Sequence, residues 1–394
     1  MTLELPIDLV KPDYAGGSIL NLASSIATHF GVETGHPGLR TILPLEGVQT
    51  IVMFVIDGLG QGQLERHIAD GDAPTLKSLL ELSQHQTLTS VFPSTTMAAM
   101  TAIYTGCAPA QSGWLGFTLW LEEVQAVVQM IEQVNVATNT VLENRDFLRV
   151  VPNLASRLER AGVNCFAVQP SEYRGGWLDE WYWQGAVRSG YITTNTLPSA
   201  AVNALEIEGR KYVMVYCPDY DTVCHKYGPS SSHASDEISA TDHALERLLR
   251  QIPGDGKTLL LVTADHGQKE LQANKTVRLE HDMALMNLLV GPPAGERVSR
   301  TFRVKPGAMS EVKDRLASSC DLIDSSVAWE HGLYGGLPAQ ETFRNRVGDL
   351  IALPRDGTQM LYTYPGHRVS RPHLGSHGGL SGAEMRVPLL SVRL

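Results

Sequence analysis

The chain has 394 residues, 43% of them apolar and 19% charged, which fits a globular protein with a sizeable core and excludes disorder of the whole chain. Its 42 acidic residues outnumber 32 basic ones, and a formal charge of −10 without long runs of either sign excludes a nucleic-acid polymer as the main partner. A small phosphate ester stays open, because bound metal ions can invert the charge of an acidic site.

The start, "MTLELPIDLVKPDYAGG", carries acids and prolines where a signal peptide needs a basic start and an apolar run, and no stretch reaches transmembrane length. Five scattered cysteines without a CxxC pair point to neither a disulfide framework nor a thiolate zinc site. A cytoplasmic protein without a membrane partner is expected. The segment "ILNLASSIATHFG" then puts Ile19, Leu20, Leu22, Ile26 and Phe30 on one helical face, with Gly31 as the stop signal. "TIVMFVIDGLG" follows, a continuous β-branched run that reads as a buried parallel strand ending at Asp57 and Gly58. A lone aspartate at a strand end is more often only a turn former or helix cap.

"APTLKSLLELSQ" predicts a helix, and "VFPSTTMAAMTAIYTG" runs an apolar stretch into three hydroxyls, Ser94, Thr95 and Thr96, at a helix start. One hydroxyl suffices as a cap; another could be a nucleophile held where helix N–H groups favour an anion. "VPNLASRLERAG" predicts a further helix, and the aromatic run "EYRGGWLDEWYWQG" either packs a loop on the core or lines a leaving-group pocket. Two more buried strands deliver acids at their ends: "KYVMVYCPDYD" reaches Asp219 and Asp221, and "KTLLLVTADHG" reaches Asp265 and His266. Between them "EISATDHALERLLRQI" is helical. In "DTVCH", Asp221 and His225 lie one helical turn apart, where both could hold one ion, with Asp219 competing off that spacing. Gly267 offers a sharp turn after Asp265 and His266. The stretch 271–355 suggests a strand–turn–helix insertion, and "GSHGGL" places His377 among small residues.

Strands alternating with helices predict an α/β fold with a mostly parallel sheet, and ligands of such sheets sit beyond the carboxyl ends of the strands, where these acids fall. The joint occurrence of acids, histidines and hydroxyls at one sheet mouth points to a metal site. A threonine or serine attacks at neutral pH only with a base or a metal, and no GxSxG motif lies nearby. Imidazole mixed with carboxylate suits zinc, with manganese as the alternative.

In order, Asp57, "FPSTT", "DTVCHKYGP", "TADHG" and "GSHGGLSGAEMRVPLL" resemble the alkaline phosphatase superfamily, specifically its type I phosphodiesterase/nucleotide pyrophosphatase branch, over about residue 45 to the end. The resemblance implies a three-layer alkaline-phosphatase-like core formed by residues 1–270 and 356–394, with 271–355 as a smaller α+β subdomain. It implies Thr96 as nucleophile, four residues after Phe92, with the family's Thr-Gly pair at Thr105 and Gly106. Two divalent ions are implied, one held by Asp221, His225 and His377, the other by Asp57, Asp265, His266 and the Thr96 oxygen. The function implied is hydrolysis of a phosphodiester or pyrophosphate through a phospho-threonine. A phosphomonoesterase, a phosphonate hydrolase or a phosphosugar mutase is the alternative on the same site. The asparagine that the family is expected to carry three residues after the nucleophile, on a phosphate oxygen, is Ala99 here, which argues against nucleotides. Lys226, Arg174 and Arg371 are candidates for the third phosphate oxygen.

Overall fold

The computed structural model describes residues 5–6, 8–336 and 340–394. Seven strands form the central sheet: β1 (Thr50–Ile56), β2 (Gln86–Thr89), β3 (Asn164–Pro170), β4 (Ala186–Tyr191), β5 (Lys211–Cys217), β6 (Thr258–Thr263) and β7 (Arg386–Arg393). Their order is β2-β7-β6-β1-β5-β3-β4. Only β7 runs against the rest, since it pairs antiparallel with both β6 and β2. Every residue of β1 and β6 is buried, as expected of central strands covered on both faces.

Helices flank this sheet in two groups. The expected N-terminal helix is α1 (Ile19–His29), which packs on α2 (Thr96–Thr105). The helices α3 (Asp219–Tyr227) and α4 (Ser232–Leu249) pack on each other. Gly31, just past α1, has φ +83°, the left-handed conformation of a helix stop. Among the described residues no helix is long and apolar enough to cross a membrane.

Register explains why three distant acids converge. β1 pairs in parallel with β6 from Thr50↔Thr258 to Val55↔Thr263, and with β5 up to Ile56↔Cys217. All three strands therefore end at one level, and their following residues share one edge of the sheet.

Two further sheets frame that edge. Thr118–Leu121, Ala126–Gln129, Val134–Asn135 and Thr140–Val141 form an antiparallel meander. Its short strands gave no recognisable alternation in the sequence. Ala294–Gly295, Arg300–Phe302, Leu350–Pro354 and Cys320–Asp324 form the other, around a small core that includes Leu279, Leu285, Phe302, Val312, Leu350 and Met360.

Candidate active site

The cleft above the carboxyl ends of β1, β5 and β6 encloses about 930 Å³. Asp57 follows β1, and its backbone N–H donates to Cys217 O at 2.9 Å, fixing the level of the two strand ends. Gly58 takes φ +76° directly afterwards and brings the chain close to Asp221, where a Cβ would sit 3.1 Å from the Asp221 side chain. Gly267 is needed for a different reason than a sharp turn. A Cβ there would lie 2.0 Å from Ala383 O, so the loop after β6 is required to pass against the segment before β7.

Asp265 Oδ1 accepts the N–H groups of Gly58 (3.2 Å) and His266 (3.0 Å). Its Oδ2 lies 3.2 Å from His266 Nε2, and Asp57 Oδ1 lies 3.4 Å from the same nitrogen. Thr96 Oγ1 completes this group at 3.1 Å from His266 Nε2. On the other side, His225 Nε2 lies 3.2 Å from Asp221 Oδ2 and 3.2 Å from His377 Nε2. His377 Nε2 is 3.5 Å from Asp221 Oδ1. The potential ligand atoms of Asp57, Asp265 and His266 lie within 4.8 Å of one another, as do those of Asp221, His266 and His377. All seven residues expected at the site meet there, with His266 between the two groups.

The three imidazoles are oriented alike. His266 Nδ1 faces Gly267 O (3.1 Å), His225 Nδ1 faces Gly375 O (2.9 Å) and His377 Nδ1 faces Ser94 O (3.1 Å). A carbonyl only accepts, so each Nδ1 carries the proton and each Nε2 presents its lone pair to the cluster. Burial pushes the pKa of His377 well below its ordinary value and keeps the ring neutral.

Asp57 Oδ1 and Asp265 Oδ2 are buried and have no hydrogen-bond donor, the condition of atoms that await a cation. Burial, with Asp265 and Asp221 nearby, raises the Asp57 pKa well above the carboxylate range. Burial acts the same way on Asp221, and only positive charge on the imidazoles beside it, His225 first, would outweigh it and hold that carboxyl below the range. A divalent ion in each group would relieve both the repulsion and the unmet oxygens, so the residues present fit a two-metal centre.

The three hydroxyls separate cleanly. Neither Ser94 nor Thr95 caps α2, contrary to the capping expectation: Thr95 occupies the N-cap position without a side-chain cap bond. Ser94 Oγ instead donates to Gly379 O (2.8 Å) and accepts from Gly378 N–H (3.2 Å), tying α2 to the loop that carries His377. Thr96 opens the helix, so its first-turn N–H groups, free of a side-chain cap, lie beside the cluster.

Other expectations are corrected. Ala99 is fully buried in α2 and is not among the residues lining the cleft, so its side chain offers the cleft no surface. Ala99→Asn is therefore expected to destabilise the fold by about 1–3 kcal/mol through an unpaired buried amide, without improving nucleotide hydrolysis. Thermal melts and a nucleotide assay check this. Asp219 does not compete with Asp221, because its Oδ2 accepts from the Thr194 hydroxyl at 2.6 Å. Arg174, Lys226 and Arg371 do not line the cleft, whereas Arg297, Arg300 and Arg368 do. Of the aromatic run only Tyr173 reaches it; Trp181, Tyr182 and Trp183 are buried in the core. Sequence reading also missed Tyr216, whose hydroxyl donates to Asp57 Oδ2, and His373, whose Nδ1 lies 3.2 Å from His225 Nδ1. His373 sits four residues before His377, a spacing that could have flagged it. Tyr216 lies in a strand buried on both faces, where no alternation marks the inner side.

The family model for type I phosphodiesterase / nucleotide pyrophosphatase matches residues 51–380. The chain belongs to that family. It is accordingly a phosphoric ester hydrolase, of a metal-dependent family and with residue groups able to bind metal. Among solved structures it is similar to murine ectonucleotide pyrophosphatase/phosphodiesterase 5, an inactive variant in complex with AMP, at 17% identity and TM-score 0.66, with 88% of each chain covered. Phosphonoacetate hydrolase from Sinorhizobium meliloti 1021, in complex with phosphonoformate, is similar at 20% identity and TM-score 0.64, with 88% of this chain and 90% of that one covered. The human ectonucleotide pyrophosphatase/phosphodiesterase 5 gives 14% identity, TM-score 0.63 and 87% of both chains. At these identities the likeness establishes the alkaline-phosphatase-type fold. No curated protein sequence matches this chain significantly.

Proposed function

We propose that this family member hydrolyses a phosphodiester or pyrophosphate of a small molecule through a covalent phospho-threonine on Thr96. The observation that carries the reading is Thr96 Oγ1, at an uncapped helix start and 3.1 Å from His266 Nε2, between two groups of buried carboxylates and imidazoles. The inactivated murine relative, which carries a threonine-to-alanine substitution, supports the assignment. Asp221, His225 and His377 would hold one ion, and Asp57, Asp265, His266 and Thr96 the other. The donor set favours zinc over manganese.

Two divalent ions, when bound, make the threonine oxygen nucleophilic and neutralise phosphoryl charge. Thr96 Oγ1 forms the bond to phosphorus as the bond to the opposite, leaving oxygen breaks. The N–H groups at the start of α2 and the helix dipole stabilise the phosphoryl oxygens as negative charge gathers on them. Water then attacks this phosphorus from the vacated side, releasing a phosphate monoester that keeps the second substituent and restoring the Thr96 hydroxyl. His225, His266 and His377, each anchored through Nδ1, hold the cluster without reorganising during either step. We take residues 271–355 as an inserted subdomain, a division supported by the small second core around Phe302 and Val312.

A substrate panel tests the reading. Bis-p-nitrophenyl phosphate is expected to be cleaved with kcat/KM at least about tenfold above p-nitrophenyl phosphate, a difference of ~1.4 kcal/mol in the barrier. The reverse order would assign the site to monoesters, and release of phosphate from phosphonoacetate alone would assign it to phosphonates.

A further inference from the structure

The outer part of the cleft has a charge balance of its own. The acids at its floor are matched by the ions they are suited to hold. Above them the charged lining residues are Glu296, Arg297, Arg300 and Arg368. Arg300 is buried and occupied: its Nε and Nη2 donate to Met360 O at 3.2 and 3.1 Å. Glu296 Oε1 accepts the Phe117 N–H at 2.6 Å, and Glu296 and Arg300 offset each other electrostatically.

Arg297 is held less tightly. Its Nη1 donates to the Arg371 carbonyl at 2.7 Å, and the neighbouring Glu296, shared with Arg300, offsets part of its charge without an ion pair. Burial pushes its pKa down to about 10, and its charge is felt at both His225 and His373. A half-buried guanidinium that lines the cleft and shares its acidic neighbour with a second arginine keeps positive charge to spare, and its planar fork suits a carboxylate or phosphate group.

We propose that Arg297 receives an oxyanion, carboxylate or phosphate, carried by the leaving portion of the substrate. The inference rests on the phosphoesterase reading above. Displacement by Thr96 places the departing oxygen opposite the attacking one, toward the group of Asp221, His225 and His377; Arg297 lines the same cleft and bonds Arg371, two residues before the His373 whose ring meets His225. The substrate class is then an ester anionic at both ends, with Arg297 setting the preference.

Three phenyl phosphodiesters test this, with 2-nitrophenol leaving groups bearing a carboxamide, a carboxylate or a phosphonate at position 4. Wild-type enzyme is expected to favour at least one anionic ester over the amide by about tenfold or more in kcat/KM. Which of the two gains more tells carboxylate from phosphate recognition. Arg297→Gln is expected to remove the preference, and Arg297→Lys to keep part of it. Equal losses on all three esters in Arg297→Gln would overturn the proposal. Hydrolysis of all three by wild type without an anionic preference would overturn it alone, and this comparison suffices if Arg297→Gln does not fold. Failure to cleave any ester would overturn the phosphodiesterase reading and this inference together.

Discussion

Thr96→Ala is expected to lower turnover at least about a thousandfold, some 4 kcal/mol of barrier, while the fold survives. The size follows from the role: the side chain supplies the atom that bonds to phosphorus, and no neighbour can replace it. Ser94 Oγ is engaged with Gly378 and Gly379, and Thr95 sits at the N-cap position, one residue short of the cluster. The methyl and hydroxyl of Thr96 cap nothing, so the loss should be catalytic, with a melting temperature close to that of wild type. Thr96→Ser keeps the attacking oxygen but frees its rotamer, and partial activity is expected. Acid-quenched enzyme analysed by peptide mass spectrometry should carry on residue 96 the substrate's phosphoryl group with its remaining ester substituent. That group on Ser94 or Thr95, or full turnover in Thr96→Ala, would remove the assignment.

Asp265→Ala is expected to reduce bound metal from about two divalent ions per chain to one or fewer, with activity falling at least about a hundredfold. Asp265 Oδ2 is buried without a donor, while Oδ1 already accepts two backbone N–H groups. The carboxylate thus offers one oriented oxygen, and the Ala side chain leaves both that position and the Gly58 amide unfilled. His377→Ala should lose the other ion, since Asp221 and His225 alone leave its coordination short. Metal analysis of the purified proteins reads both results. Wild type should also melt at a lower temperature after chelation, because ions that bind only the folded chain stabilise it. Unchanged metal content in both variants would show that the ions sit elsewhere.

Much of this site was legible because its residues follow strands whose composition announces them. "TIVMFVIDG" and "KTLLLVTADHG" are buried runs broken by an acid, and a parallel sheet can place such acids only at its carboxyl edge. Asp221 and His225 were legible because a helical turn fixes their relation, and the structure keeps them on α3.

Other features depended on contacts between distant segments. Ser94 looks like a cap in sequence, but its bonds run to residues 378 and 379, a separation no local pattern encodes. Ala99 stood in a position that seemed to face the phosphate; in the structure it is fully buried in α2 instead. The basic residues of the cleft came from loops near 297 and 368 rather than from the candidates chosen beside the motifs, because packing of the second sheet decides which loops reach the mouth. The sequence by itself determined the three central strands, the helices between them and the ligand chemistry they deliver, since burial and periodicity act over a few residues. Tertiary structure alone decided which hydroxyl faces the cluster, how the three imidazoles are turned and which cations line the cleft. Those depend on hydrogen bonds and close approach between segments up to almost 300 residues apart.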